Sequence, residues 1–159
     1  MTNYRLEEKE AFTVLGMGVE LKSDYTDFMG ILAEKNSFWE TIAADGTLSQ
    51  LQALADNHYV LAVNEAYDHK MMHYAGVITN QTLPEATRII QFPKGMYVVV
   101  EGEASTSEEL KNKLPNLAFG QVLNQIADYQ YVGGPNAAVE MGQHEGQYFG
   151  EMWIPVVAK

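Results

Sequence analysis

The sequence has no cysteine among its 159 residues. That absence excludes a disulfide framework, thiol catalysis and cysteine-ligated metal sites. No apolar run approaches the roughly 20 residues of a transmembrane helix. Residues 1–10 are polar and acidic, unlike a signal peptide. We therefore predict a cytoplasmic protein without a membrane partner.

Positive charge is also scarce, with 10 Lys and Arg against 21 Asp and Glu and a net charge of -11. A surface of this sign repels a phosphate backbone, so direct nucleic-acid binding is not expected. The same field concentrates cationic small molecules near the protein, although an acidic surface can also serve solubility alone.

Recognised cofactor and metal motifs are missing as well. There is no glycine-rich phosphate loop, nucleophile elbow or Ser-His-Asp arrangement, so we predict no cofactor. His69 and His73 have the spacing of helical metal ligands, but they fall at a turn and in a strand. We therefore predict no metal site.

The residues that are present indicate one globular domain over 1–159, because 47% are hydrophobic and 19% are charged. Hydrophobic periodicity predicts a strand-helix-strand-strand order twice, in pseudo-repeats of about 1–80 and 81–159. The first repeat has strands over 11–21, 58–65 and 71–79 and a helix over 26–44. The second has strands over 86–92, 96–101, 137–141 and 148–157, and a helix from near 107 to about 129 that Pro115 interrupts or restarts.

These elements predict an α+β fold of two duplicated β-α-β-β modules. Side by side, the modules form a mostly antiparallel sheet with both helices on one face. The groove at the pseudo-twofold axis, or the other face of the sheet, is then free for a ligand.

The last predicted strand carries the strongest functional signal. Side chains alternate along a strand, so Phe149, Glu151 and Trp153 share one face. On an exposed face, this would be a solvated acid beside two exposed aromatic rings. On a covered face, the acid is partly desolvated and becomes a cation receptor or a general base, which is the interpretation we favour.

Three further aromatic residues are candidates to complete a pocket around Glu151. Trp39 lies on the first predicted helix, and Tyr74 and Tyr97 lie on strands. Each can also be read as core packing, but a buried indole N–H or phenol O–H needs a partner. Such a pocket binds planar aromatic or cationic compounds through stacking and cation–π contacts.

Four segments resemble the GyrI-like family, which includes the effector-binding domains of AraC-type and MerR-type transcription regulators. They are 5–9 with 11–16, the pair Phe38-Trp39, 90–97, and the closing strands 138–141 with 151–156. The resemblance spans nearly the whole chain and implies a duplicated fold with a ligand groove at the module interface. It also implies that Glu151 is the pocket carboxylate and that Tyr97 lines the same groove. The chain shows no helix-turn-helix segment, so we do not expect it to be the DNA-binding regulator itself.

Three functions fit these observations. The first is a stand-alone multidrug-binding module, a sensor or sequestering protein that protects against cationic, amphipathic or planar xenobiotics. The second is a hydrolase, since some GyrI-like proteins hydrolyse strained cyclopropane-bearing alkylating compounds. Glu151 would then activate water while Trp39, Tyr97 and Trp153 hold the ligand. The third is an adaptor with a protein partner such as gyrase. We favour binding, and the sequence leaves both catalysis and oligomeric state open.

Overall fold

A computed structural model describes residues 3–24 and 26–159. Its helices are α1 (Phe28–Ala44), α2 (Thr47–Leu54) and α3 (Ser107–Leu117), and a π-helical turn (Ala118–Val122) follows α3. The strands are β1 (Tyr4–Lys9), β2 (Phe12–Glu20), β3 (Val60–Tyr67), β4 (Lys70–Ile78), β5 (Arg88–Phe92), β6 (Gly95–Ala104), β7 (Tyr129–Gln130), β8 (Asn136–His144) and β9 (Gln147–Ala158).

Eight of the strands form one curled antiparallel sheet in the order β1-β6-β9-β8-β3-β4-β2-β5, and β7 pairs with the outer part of β9. The predicted α+β fold is therefore confirmed. The pseudo-twofold axis passes between β3 and β8, where Ala62 and Ala138 are directly paired. The curl brings distant strands together: the Phe12 ring stacks on Phe92 at 4.6 Å and meets Trp153 edge-on at 5.6 Å.

The two halves of the chain exchange their edge strands. β1 belongs to the first half but pairs with β6 of the second, and β5 belongs to the second half but pairs with β2 of the first. Only Glu10 and Ala11 separate β1 from β2, and only Pro93 and Lys94 separate β5 from β6. Each short connection therefore joins an edge strand to the strand next to the opposite edge, which requires the sheet to curl.

The helices cover one face of the sheet, as predicted. α1 and α2 pack on Leu15, Ala75 and Val77. α3 packs on residues such as Met152 of β9, whose side chains lie on the same face of the sheet as those three. The opposite face closes on itself around a second core that contains Tyr97 and the other members Val14, Leu61, Val63, Tyr74, Ile90, Phe92, Val99, Ala137, Val139 and Trp153. Central strands such as β3 and β9 are thus apolar on both faces.

α3 begins at Ser107, in agreement with the predicted start near 107. The Thr106 side chain accepts a hydrogen bond from the Glu109 backbone N–H at 3.1 Å. Pro115 neither ends nor restarts the helix, because α3 continues through it to Leu117. A proline cannot donate a backbone hydrogen bond, and the π-helical turn follows at once. The helical segment therefore ends at Val122, before the predicted limit near Tyr129.

Three elements were absent from the sequence prediction. α2 begins directly after Gly46, whose positive φ of 87° ends α1 and turns the chain. β1 has an alternating charged sequence, which is typical of a polar terminal segment, and it forms a strand because it pairs with β6. β7 is two residues long, too short to give a periodic signal.

Candidate functional site

Glu151 lies in the middle of β9 and is 9% exposed. The indole Nε1 of Trp153, two residues along the strand, donates to carboxylate Oε1 at 2.9 Å. Arg5 of β1 donates from Nη2 to the other oxygen, Oε2, also at 2.9 Å. Two donors, one of them cationic, therefore satisfy this sheltered carboxylate. The bond between Trp153 and Glu151 also agrees with the predicted alternation, which puts both side chains on one face.

An open depression adjoins Glu151 on the face away from the helices. We call it the acidic depression, and its volume is about 480 Å³. Among its lining residues are Glu101, Glu103, Met141, Phe149 and Glu151. Glu101 and Glu151 are direct partners in the β6–β9 register, so two carboxylates stand side by side. Three carboxylates around two soft apolar side chains form a surface suited to an amphipathic cation.

In this structure, Arg5 supplies positive charge beside the acidic depression. Its guanidinium lies 2.8 Å from Glu7, 2.9 Å from Glu151 and 3.8 Å from Glu101. Burial alone would lower the pKa of Arg5, but donation to Glu7 and Glu151 more than offsets this and raises it. The Arg5 side chain is 44% exposed, whereas that of Glu151 is 12% exposed. Arg5 can therefore leave Glu151 toward water and keep other carboxylates as partners.

Trp153 is bonded to Glu151 but is not among the residues that line the acidic depression. It is 5% exposed, and Lys9 of β1 holds its ammonium 4.1 Å from the centroid of the indole ring. Lys9 also donates to Glu7 at 2.8 Å, so a second basic residue of β1 is tied to this region. Trp153 thus orients Glu151 through its N–H while its ring is covered by the protein itself.

The two candidate tyrosines are fully buried and use their hydroxyl groups internally. Tyr97 O–H donates to the Pro93 carbonyl at 2.7 Å, and burial raises its pKa to about 12. Tyr74 O–H donates to Glu65 at 3.3 Å, and burial together with the Glu65 charge raises its pKa to about 12. Both belong to the same apolar core as Trp153, and neither lines the acidic depression.

Trp39 lies on the other face of the sheet. It belongs to α1, packs against the cores beneath the helices, and donates from Nε1 to His73 Nε2 at 2.9 Å. It lines the space between α1 and α3 above Ala62 and Ala138, which we call the helix cleft. This cleft is the groove predicted at the pseudo-twofold axis. The structure therefore brings Phe149, Glu151 and Trp153 together but separates Trp39 from them by the thickness of the sheet.

The chain matches one protein-family model over residues 5–156, that of the integron-associated effector-binding protein Cass2. The chain belongs to this effector-binding family. Family membership confirms the GyrI-like resemblance and identifies the protein, at a coarse level, as a small-molecule-binding domain. No curated protein is significantly similar in sequence.

Solved structures share the fold of this effector-binding family member. One is SAV2435 bound to tetraphenylphosphonium, with 16% identity, a TM-score of 0.78, and coverage of 98% of this chain and 94% of that one. A transcription regulation protein from Staphylococcus aureus has 17% identity, a TM-score of 0.73 and coverage of 98% and 99%. The integron cassette protein from Vibrio cholerae has 17% identity, a TM-score of 0.66 and coverage of 97% and 95%. At these identities the likeness establishes the fold alone.

Arg5 and Glu101 are among the residues of the candidate site that escaped the sequence reasoning. Arg5 entered only as part of a resembling segment, and its contact with Glu151 spans 146 positions of the chain. Glu101 was predicted to lie in a strand, and no function was assigned to it. The alternation of Arg5, Glu7 and Lys9 was the available signal, because three charges at a spacing of two face the same side of a strand.

Among the described helices, none is long and apolar enough to cross a bilayer.

Proposed function

We propose that this protein binds amphipathic cations, including planar aromatic ones, in the acidic depression, as a sensor or sequestering module. The observation that carries the proposal is the carboxylate of Glu151, held at the edge of the depression by Arg5, a cation that a ligand can replace. A ligand cation would take the place of the guanidinium beside Glu151, and its apolar body would lie against Phe149 and Met141.

The charge distribution supports a cation over a neutral ligand. Glu101, Glu103 and Glu151 line the acidic depression, and the net charge of -11 strengthens the same field at long range. Arg5 retains Glu7 and Glu101 as partners after it leaves Glu151, so displacement costs little. That SAV2435, a protein of the same fold, binds tetraphenylphosphonium makes this cation the natural first probe.

The test is a calorimetric titration of tetraphenylphosphonium into wild type, Glu151→Gln and Arg5→Met. Glu151→Gln keeps the shape of the side chain and removes the charge, so affinity should fall by about 1–3 kcal/mol, or about 5- to 150-fold. Arg5→Met removes the competing cation, so affinity should rise, by roughly two- to five-fold for a pair this exposed.

Glu85→Gln is the matched control. Glu85 is an exposed loop residue, so the variant changes net charge equally without touching the depression. Tetraphenylborate, a ligand of similar shape and opposite charge, should show no saturable binding to the depression. Equal loss of affinity in Glu85→Gln and Glu151→Gln, or weaker binding in Arg5→Met, would contradict the proposal, because it would make the effect long-range or the Arg5–Glu151 pair structural.

A further inference from the structure

The outer side of β1 meets no other strand in the described ranges, because β1 is an edge of the sheet and pairs with β6 alone. The Glu101 N–H donates to the Asn3 carbonyl at 3.0 Å, directly before the β1–β6 ladder begins. Backbone groups alternate sides along an antiparallel strand, so odd-numbered residues of β1 bond to β6 and even-numbered ones face outward. The outward-facing backbone groups are therefore those of Tyr4, Leu6 and Glu8. Such a row of unpaired donors and acceptors is a template for another strand.

The side chains of β1 divide the two faces of the strand by their chemistry. Arg5, Glu7 and Lys9 share the face of the sheet that carries Glu151. The apolar side chains of β1 lie on the other face, where Tyr4 is 42% exposed and Leu6 is 41% exposed. The edge therefore offers a row of charges on one face and an uncovered apolar surface on the other.

One alignment of β1 with a second copy of itself matches opposite charges without bringing like charges together. Two copies related by a twofold axis perpendicular to the sheet pair antiparallel, and the axis lies between the two copies of a single residue. With the axis at Leu6, Arg5 stands opposite Glu7 of the second copy, and Glu7 stands opposite its Arg5. With the axis at Arg5, Glu7 or Glu8, identical charges would face each other. With the axis at Tyr4, fewer residues of β1 are paired.

The same alignment also pairs the outward-facing backbone groups. Leu6 exchanges hydrogen bonds with Leu6 of the second copy, and Tyr4 does so with Glu8, which gives about six bonds in all. Arg5 and Glu7 fall between these bonds, at the positions where opposing side chains come closest. Glu7 already accepts from Arg5 of its own chain at 2.8 Å, so pairing joins the ion pairs of the two copies into one network.

We propose that two copies of this protein associate through β1, with Leu6 on the twofold axis and Arg5 of each copy beside Glu7 of the other. The two sheets then continue into one another, and both acidic depressions lie on the same face of the combined sheet. Asn3, which lines the depression, stands opposite Lys9 of the second copy. The proposal does not rest on the proposed binding of cations.

Two effects limit the strength of this dimer. The net charge of -11 repels a second copy, but charges further apart than about 8 Å are largely screened at physiological ionic strength, whereas the complementary charges meet at the contact. A contact of one short strand per chain also buries less area than a permanent dimer requires. We therefore expect a weak dimer, with a dissociation constant of about 10 µM to 1 mM.

Sedimentation equilibrium of the full chain over that concentration range measures the association. Leu6→Lys and Leu6→Glu are the decisive variants, because each alone puts like charges on the axis and should weaken association about 10-fold or more. Mixed in equal amounts, the two variants should associate again, to within about threefold of wild type, because the axis then holds one charge of each sign. Circular dichroism verifies that each variant is folded, which is expected for a side chain that is 41% exposed.

Ile89→Lys and Ile89→Glu are the matched controls. Ile89 lies on β5, the other edge of the sheet, and is 45% exposed, so these variants make the same changes of charge away from β1. Both should associate as wild type does. In amide NMR spectra, the signals of Tyr4, Leu6 and Glu8 should shift as protein concentration rises, while those of β5 should stay fixed.

Several results would overturn the proposal. One is a wild-type chain that stays monomeric up to about 1 mM, the upper limit of the expected dissociation constant. Another is association that the Leu6 variants leave unchanged, or that the Ile89 variants weaken equally, since the contact would then lie elsewhere. A third is a mixture of folded Leu6→Lys and Leu6→Glu that does not recover association, because Leu6 would then not lie on the axis. Amide shifts confined to β5 would likewise contradict pairing through β1.

Discussion

His73 should make this protein markedly less stable in mild acid. Its ring is 3% exposed and accepts the Trp39 N–H, so protonation would place an unpaired charge between Trp39 and Asn64. The pKa is lowered from 6.5 to about 3, first by burial and then by Lys35 and Lys111. Below pH 6.5 the unfolded chain binds a proton at His73 that the native protein does not bind, so stability falls as pH falls.

The magnitude follows from the difference in proton binding. Each pH unit between the two pKa values removes about 1.4 kcal/mol from the free energy of unfolding. Between pH 7.5 and pH 5.0 the loss should reach about 2 kcal/mol, most of it below pH 6.5. Down to pH 5.0 the carboxylates, whose ordinary pKa values lie near 4, contribute little.

Urea unfolding followed by circular dichroism at pH 7.5, 6.5, 5.5 and 5.0 measures this loss. His73→Gln lowers stability at every pH because it disturbs a buried hydrogen-bond chain, but it should abolish the pH-dependent part. His58→Gln, at an exposed position, should keep the wild-type slope. Parallel curves for wild type and His73→Gln would refute the reasoning, since they would show that His73 binds protons alike in the folded and unfolded protein.

Two further predictions concern the scaffold. Thr106→Ala should lower the free energy of unfolding, measured by urea titration, by about 1 kcal/mol because it removes the helix cap, and Thr106→Ser should restore most of the loss. An alanine variant as stable as wild type would mean that the cap is not needed. Gly150→Ala should cost about 2–3 kcal/mol or more, because its Cβ would stand 1.9 Å from the Val139 carbonyl oxygen. Gly120→Ala meets no atom within 4 Å and should change stability by less than about 1 kcal/mol, so equal losses in the two glycine variants would contradict the steric explanation.

The sequence predicted most of the scaffold because periodicity is a local signal. The alternation of Phe149, Glu151 and Trp153 is a property of one strand, and it holds in the fold. Trp39 shows where this reasoning stops: helical spacing identifies the apolar side of α1, but not which face of the sheet the helix covers. The contact between Arg5 and Glu151 is even harder to predict from the sequence, since it depends on the exchange of edge strands between the two halves.

The buried tyrosines illustrate a second limit. Tyr74 pairs with Val63, and Glu151 pairs with Val139, and each valine follows one of the two paired alanines at the pseudo-twofold axis. Tyr74 and Glu151 therefore occupy equivalent places in the two modules. Low sequence similarity between the halves hides this relation until the register is known. Only the second module has a carboxylate at this position.

The exchange of edge strands also constrains how the chain folds as it is synthesised. β1 is made before its partner, Gly95–Val100, which leaves the ribosome roughly 5–20 s later at ordinary rates of synthesis. During that interval β1 has unpaired backbone groups that could join a wrong strand. Arg5, Glu7 and Lys9 make it a poor partner for other apolar edges. The charges that surround Glu151 in the native protein thus also protect the nascent chain from mispairing.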